Sequence, residues 1–128
     1  DTIGELSACW GLADIAFVGG SFGNRGGQNM IEPAAFGAAV LFGPNTWNFR
    51  DVVQTFKEAH ACVQLDSPEE LTPAVARLLA VSTERQSLGD AALNAVKSQS
   101  GATAHTAMLL TEILYSQTAK REIRQKAA

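Results

Sequence analysis

The sequence predicts an α/β protein with three parallel strands and flanking helices, followed by an all-helical C-terminal part. Two observations lead to this fold class. Short apolar segments alternate with segments of helical periodicity as far as Leu65, which is typical of βαβ units that build a parallel sheet. From Leu71 onward no strand pattern remains. We therefore predict an α/β half-domain over residues 1–80 and helices of the same domain over residues 81–128.

The individual elements follow from local patterns. Three short apolar segments bounded by turn residues predict strands at Ile15–Val18, Ala39–Phe42 and Cys62–Leu65. Helical spacing predicts helices within residues 1–14 and at 29–36, 49–59, 71–80, 83–99 and 102–124. Ser67 is a predicted cap with Pro68 at the first helical position, and Ser100-Gly101 is predicted to separate the last two helices.

Composition limits the classes of function. The chain has 128 residues, 46% hydrophobic content and a net charge of -3, which suits one modest globular domain. With only 10 Lys and Arg and no basic patch before the C-terminal tail, nucleic acid is not an expected partner. The two cysteines and two histidines have no metal-ligand or triad spacing, and there is no D-x-D motif, so no metal site is predicted.

The most informative segment is a glycine-rich loop between the first strand and the next helix. Its glycines are Gly19, Gly20, Gly23, Gly26 and Gly27. A strand, a glycine loop and a helix N-terminus together favour phosphate, since backbone amides and the helix dipole attract an anion. Asn29 and Glu32 have capping-box spacing, and the Glu32 carboxylate could accept hydrogen bonds from sugar hydroxyls. An ordinary connection, with Glu32 only a cap, stays open because a lone glycine loop is a weak motif.

One protein family resembles the chain in four segments: DTIGEL, ADIAFVGGS, GGQNMIEPAAFG and VLFGPNTWNF. The chain is similar to the 3-deoxy-D-manno-octulosonic acid (Kdo) transferases of Gram-negative bacteria. These are GT-B glycosyltransferases with two Rossmann-like domains that face each other across a cleft. The specific part is the joint order of G-G-x-N-x-x-E-P-A and F-G-P-x-x-x-N-F. Gln28 and Asn45 depart from the family, in which His is usual at both positions.

The resemblance implies a site for the donor CMP-Kdo at the carboxyl ends of the strands. The residues that it assigns to donor binding are Ser21, Gly26, Gly27, Gln28, Asn29, Glu32 and Asn48. The backbone amides of Gly27, Gln28 and Asn29 would hold the phosphate, and Glu32 would bind the ribose hydroxyls. Ser21 would donate to phosphate or to the Kdo carboxylate, and Asn48 would touch the sugar.

Several of these assignments keep a structural alternative. Arg25 and Glu5 could contact the donor, but a surface arginine and a surface helix acid are adequate readings. Asn48 could instead cap the helix that follows it. Trp47 could cover the site, although a core aromatic is favoured, and Asp66 is predicted to be an ordinary turn residue.

The resemblance also implies a place in a larger protein. The chain would be the C-terminal half of a Rossmann-like GT-B donor domain, and therefore a fragment without a catalytic residue, a metal or a cofactor. The parent would transfer Kdo to a lipid A precursor in lipopolysaccharide synthesis, at the cytoplasmic face of the inner membrane. The acceptor would bind the missing N-terminal domain, so the fragment alone would be inactive. Another GT-B nucleotide-sugar transferase, or a non-catalytic nucleotide-binding module, is the alternative.

The same implied truncation makes a physical prediction. The strand Ile15–Val18 would lie near the centre of the complete sheet and would be left as an apolar edge in this soluble fragment. We therefore expect the fragment to associate with itself.

Overall fold

The computed structural model describes residues 5–126, and the side chains of residues 8–99, 101, 108–111 and 113. The regular elements are α1 Glu5–Trp10, β1 Ile15–Val18, α2 Ile31–Ala35, β2 Ala39–Phe42, α3 Arg50–Glu58, β3 Cys62–Gln64, α4 Leu71–Ala80 and α5 Ser82–Lys126. Short 3-10 helices cover Trp47–Phe49 and Pro68–Glu70. The chain divides into two compact units, Asp1–Lys97 and Ser98–Ala128. The predicted boundary between the α/β half-domain and the C-terminal helices, between residues 80 and 81, stays a prediction.

The three strands form one parallel sheet in the order β1-β2-β3, which confirms the predicted fold class. Ile15 pairs with Ala39 at one end of the β1–β2 ladder, and Val40 pairs with Cys62 between β2 and β3. Every residue of β2 is buried, because β2 lies in the middle of the sheet and is covered on both faces. A strand in that position reads as a continuous apolar run, which is why the sequence revealed it.

Helices cover both faces of the sheet in the first unit. On one face, Val40 and Phe42 pack with residues of α2 and α3, including Met30 at the start of α2. On the other face, Leu41 packs with residues of α4, including Leu78. Both crossover helices therefore lie on the same side of the sheet, and α4 covers the opposite side. None of the helices among the described residues is long and apolar enough to cross a membrane.

Two of the predicted helix features are wrong, and a third is confirmed in part. The helix predicted at 29–36 is only Ile31–Ala35, and Met30 is its N-cap residue. Ser67 is an N-cap residue followed by Pro68, as predicted, although it makes no side-chain capping bond and the helix that it precedes is the 3-10 turn Pro68–Glu70. The break predicted at Ser100-Gly101 is absent, since α5 is continuous there. A glycine with helical dihedrals lowers helix propensity without ending a helix that has good helix formers on both sides.

Helix α5 approaches the sheet closely at one position. A Cβ atom added at Gly89 would collide with the backbone carbonyl of Gly37, in the turn that precedes β2. Leu93, one turn further along the helix, also lies against Gly37. Gly89 is therefore required in the helix interior because only a residue without a side chain permits this contact. The contact holds α5 at the amino end of the strands.

The end of α3 contains an unusual backbone conformation. His60 has a positive φ of 51°, the only such non-glycine among the described residues. Its amide donates to Lys57 O at 3.1 Å, and the Ala61 amide donates to Phe56 O at 2.8 Å. These two bonds form a Schellman motif, in which the residue at this position is usually glycine. A residue with a Cβ atom costs about 1–2 kcal/mol in this region.

A pair of glycine substitutions tests the packing of α5. Gly89→Ala should lower the free energy of unfolding by roughly 1–3 kcal/mol, because its methyl group meets a backbone carbonyl that cannot easily move. Gly101→Ala is the matched control in the same helix, since a Cβ there meets nothing within 4 Å. It should stabilise the chain by about 0.5–1 kcal/mol. Urea unfolding followed by circular dichroism measures both; equal effects would contradict the proposed contact.

The open edge of the sheet makes a second prediction. Among the described strands, β1 pairs only with β2, so one side of its backbone is left without strand partners. Such an edge recruits another chain. We expect the 128-residue chain to form dimers or larger species in size-exclusion chromatography with light scattering. A stable monomer at high concentration with a cooperative thermal transition would contradict this expectation.

Candidate functional site

The carboxyl ends of β1 and β2 lie side by side, and the loops that follow them are joined to each other. The first loop connects β1 to α2 through residues 19–30, and the second connects β2 to α3 through residues 43–49. The carboxyl edge of a parallel sheet is where ligands bind in doubly wound α/β proteins. The structure therefore brings together the two loops that carry the sequence-predicted residues.

Ser21 is the residue that links the two strand ends. It is fully buried, and its hydroxyl donates to Val18 O at 2.7 Å. The same oxygen accepts a hydrogen bond at 2.8 Å from the amide of Gly43, which is the residue just after β2. The hydroxyl hydrogen of Ser21 is therefore already engaged in a hydrogen bond within the protein. Ser21 thus fixes the separation between the two loops at their origin.

Further hydrogen bonds continue this connection along both loops. The Asn45 amide donates to Ser21 O at 2.8 Å, and the Asn48 amide donates to Gly26 O at 3.2 Å. The two asparagine side chains add bonds to Phe22 O at 3.3 Å and Arg25 O at 2.7 Å, respectively. All donors belong to the second loop and all acceptors to the first. The two loops therefore form one unit.

Gly26 allows the loops to approach each other. It is buried with a φ of 75°, a conformation that favours glycine. A Cβ atom added there would lie 2.7 Å from the side-chain nitrogen of Asn48 and would also meet the indole nitrogen of Trp47. Trp47 is 44% exposed, so the prediction of a core aromatic is wrong. Its ring lies over the glycine loop because it follows a turn at the sheet edge instead of lying on a covered face.

The glycine loop uses two of its own amides internally. The Gly27 amide donates to Gly20 O and the Gln28 amide donates to Gly19 O, both at 3.1 Å. These bonds close the loop on itself. Of the three amides that sequence reasoning assigned to phosphate, only that of Asn29 has no hydrogen-bond acceptor within the described part of the chain. The amide of Met30 likewise has none there.

Asn29 and Glu32 are adjacent, although they do not form the predicted capping box. The Asn29 side-chain oxygen accepts from the Ile31 amide at 3.0 Å, and its side-chain nitrogen donates to Glu32 Oε1 at 3.0 Å. Asn29 thus orders the start of α2 from one position before the N-cap residue. Glu32 is half-buried, and one of its carboxylate oxygens accepts the bond from Asn29. Its second carboxylate oxygen has no bond to the described side chains.

The other predicted residues differ in position. Arg25 and Gln28 are exposed on the loop, and the Gln28 side chain folds against Gly19. Asn48 does not cap α3, whose N-cap residue is Phe49. Asp66 is exposed in the turn after β3, as predicted. The side chain of Glu5 lies outside the described part of the structure.

Sequence reasoning missed two residues of the second loop. Asn45 drew notice only as a departure from a family pattern, and the buried Thr46 beside it drew none. The spacing of Asn45 and Asn48 after a strand was the available signal, since turn asparagines often bond to backbone groups. Among the described residues, no cluster of His, Cys, Asp or Glu could hold a metal ion.

Replacing Ser21 tests the connection between the loops. Ser21→Ala leaves the buried Gly43 amide without its acceptor, so the free energy of unfolding should fall by roughly 1–3 kcal/mol. Ser87→Ala removes a hydroxyl from an exposed helical position and serves as the control, with an expected change within about 0.5 kcal/mol. Chemical unfolding measures both variants. A Ser21 variant as stable as the parent chain would show that the buried hydroxyl does not hold the loops.

Known proteins resemble the chain in sequence. It is 38% identical over 106 residues to the 3-deoxy-D-manno-octulosonic acid transferase of Bordetella pertussis, covering 83% of this chain and 25% of that protein. It is 37% identical over 103 residues to the transferase of the same name from Haemophilus influenzae, covering 80% and 24%. The chain thus spans about a quarter of the length of these curated relatives. No protein-family model matches it.

A solved structure resembles the chain in fold. It is the crystal structure of the C-terminal CMP-Kdo binding domain of WaaA from Acinetobacter baumannii, with a TM-score of 0.70 and 27% identity. The match covers 75% of this chain and 50% of that one. The chain is therefore similar in sequence to 3-deoxy-D-manno-octulosonic acid transferases and in fold to part of this C-terminal domain.

Proposed function

We propose that this chain forms part of the donor site of a Kdo transferase and that the donor is CMP-Kdo. The observation that supports this most directly is the likeness to a domain described as CMP-Kdo binding, at 27% identity and a TM-score of 0.70. The paired loops at the carboxyl edge of the sheet agree with it, since that edge is where α/β folds bind ligands. CMP-Kdo carries a single phosphate, so one small cluster of donors suffices.

The phosphate would lie at the start of α2. The amide of the exposed Asn29 is the backbone donor there, because Gly27 and Gln28 donate within the loop and Met30 is fully buried. Arg25 supplies the positive charge from the exposed side of the loop. In this arrangement Gly26 and Gly27 shape the loop and do not donate to the ligand.

The nucleoside and the sugar would occupy neighbouring positions. The second carboxylate oxygen of Glu32 would accept from the ribose hydroxyls while the first stays bonded to Asn29. Asn48 has a carbonyl oxygen free of hydrogen bonds to the described residues, and it would face the Kdo group. Ser21 would contribute indirectly, by fixing the distance between the loops. Gln28 would contact the donor through its exposed side chain.

The chemical contribution of this chain would be stabilisation of the departing CMP phosphate. Transfer also needs a base that removes the acceptor proton and a group that orients the acceptor. We assign both to the part of the parent protein outside this chain, together with binding of a lipid A precursor at the cytoplasmic face of the inner membrane. The 128-residue chain alone would then form no product.

Substitution of Glu32 tests the ribose assignment. In the intact parent, Glu32→Ala should weaken CMP binding by roughly 1.5–3 kcal/mol, which is the usual loss for a hydrogen bond to a charged group. This loss corresponds to a roughly 10- to 150-fold higher dissociation constant. Isothermal titration calorimetry with CMP measures it.

Two further variants make the result specific. Asp66→Ala removes an exposed carboxylate at the same sheet edge and should leave CMP affinity unchanged. Glu32→Gln keeps an oxygen that can accept from Asn29 and removes the charge, so its affinity should fall between those of the parent and Glu32→Ala. Equal affinities of the parent and Glu32→Ala would refute the assignment.

A further inference from the structure

A second concave site lies beside β3, an outer strand of the sheet. It is an open cavity of about 500 Å³, a size within the range of small-molecule sites. Its lining comes from the end of α3, from β3 and from the first turns of α5, and consists of Lys57, His60, Cys62, Val63, Gln64, Glu84, Ser87 and Leu88. These residues all belong to the first compact unit. Nothing in the donor-site argument uses them.

The cavity is separate from the glycine loop. The lining runs along β3 from His60, which precedes the strand, to Gln64, its last residue, whereas the glycine loop follows β1. The two features also lie on opposite outer strands of the sheet, with β2 between them. A ligand bound in one would therefore not touch the other.

The charges in the cavity favour an anion. The Glu84 carboxylate is paired with Arg77 Nε at 3.2 Å, so its negative charge is already compensated. Lys57 has no carboxylate partner among the described residues, and its ammonium donates to the neutral Gln64 Oε1 at 2.8 Å. The ammonium has two more donor hydrogens, for which the described residues provide no acceptor.

Neighbouring groups strengthen this preference. Burial raises the pKa of the Cys62 thiol to about 11, against the opposing effect of the Lys57 ammonium. The thiol is therefore protonated at neutral pH and adds no negative charge. His60, which lines the cavity, has a positive φ of 51°, a conformation that favours glycine. Unfavourable backbone conformations that persist often accompany ligand sites.

We propose that this cavity binds a small organic anion, with its carboxylate or phosphate group on the Lys57 ammonium and the His60 imidazole. The apolar part of the ligand lies against Val63 and Leu88, which form the apolar part of the lining. Gln64 and Ser87 supply further polar contacts. The inference is independent of the proposed donor site, because it uses none of the same residues.

Nuclear magnetic resonance titration of the ¹⁵N-labelled chain tests this proposal. The probes are benzoate, phenyl phosphate, inorganic phosphate and the neutral analogue benzamide. We expect saturable shifts of the amides of His60, Val63 and Ser87 with benzoate or phenyl phosphate. Inorganic phosphate should bind more weakly because it has no apolar part, and benzamide should cause no saturable shift. The tighter of the two organic anions identifies the favoured anionic group.

Variants locate the interaction. Lys57→Gln should weaken binding of the organic anion at least fivefold, whereas Lys97→Gln, an exposed lysine outside the cavity, should have no effect. His60→Gly should weaken binding and at the same time raise the melting temperature, since it relieves the left-handed conformation. A purely structural histidine would change only the melting temperature.

Three outcomes would overturn the proposal. They are binding that is unaffected by Lys57→Gln, equal binding of benzamide and benzoate, and shifts confined to residues outside the cavity. Glu32→Ala keeps this cavity intact, so loss of CMP binding in that variant with retained benzoate binding distinguishes the two sites. Thermal unfolding of each variant confirms that it is folded before the titration is interpreted.

Discussion

The hydrogen bonds between the loops after β1 and β2 are the constraint on which the functional edge depends. Ser21 is central because it bonds to the end of its own strand and to the beginning of the neighbouring loop. The carbonyl groups of the first loop then accept from the amides and side chains of Asn45 and Asn48. Buried polar groups must be paired, so this arrangement also removes the cost of placing two irregular loops close together.

The pairing changes how the glycine loop is understood. Glycines in such loops are commonly explained by amides that face a phosphate. Here the Gly27 and Gln28 amides close the loop, and Gly26 lets Trp47 and Asn48 approach it. The glycines thus serve mainly to bring two loops together. Any anion must use groups at the edge of this unit, such as the Asn29 amide, and the shape of the unit determines where those groups are.

The amino end of the sheet depends on a different contact, that of Gly89 with the carbonyl of Gly37. This contact places the first turns of α5 beside β3, and Leu88 then packs with the core residues of the α4 face. The wall of the second cavity consists of these same turns of α5. The absence of a side chain at Gly89 therefore allows α5 to take the position in which it lines the cavity. The paired loops and the cavity beside β3 thus depend on different contacts.

The sequence predicted what local patterns determine. The bounds of β1 and β2 were correct because both strands are short apolar runs between turn residues, and β3 was one residue too long. What escaped prediction depends on contacts distant in the chain. The bond between Gly43 and Ser21 joins residues 22 positions apart, and nothing near Ser21 indicates it. Gly101 resembles a helix end locally, and the continuous helix around it overrides that signal.

The structure also shows the surroundings of Asn45 and Gln28, the two positions at which the resemblance leads us to expect His. Asn45 lies where the resemblance leads us to expect His, and its side chain donates to Phe22 O at 3.3 Å. An imidazole N–H could donate to that carbonyl as well, so this exchange can preserve the pairing of the loops. Gln28 is exposed on the open side of the glycine loop and bonds to no described side chain. Because the loop closes through the Gln28 backbone and not through its side chain, closure of the loop does not depend on which side chain stands at this position.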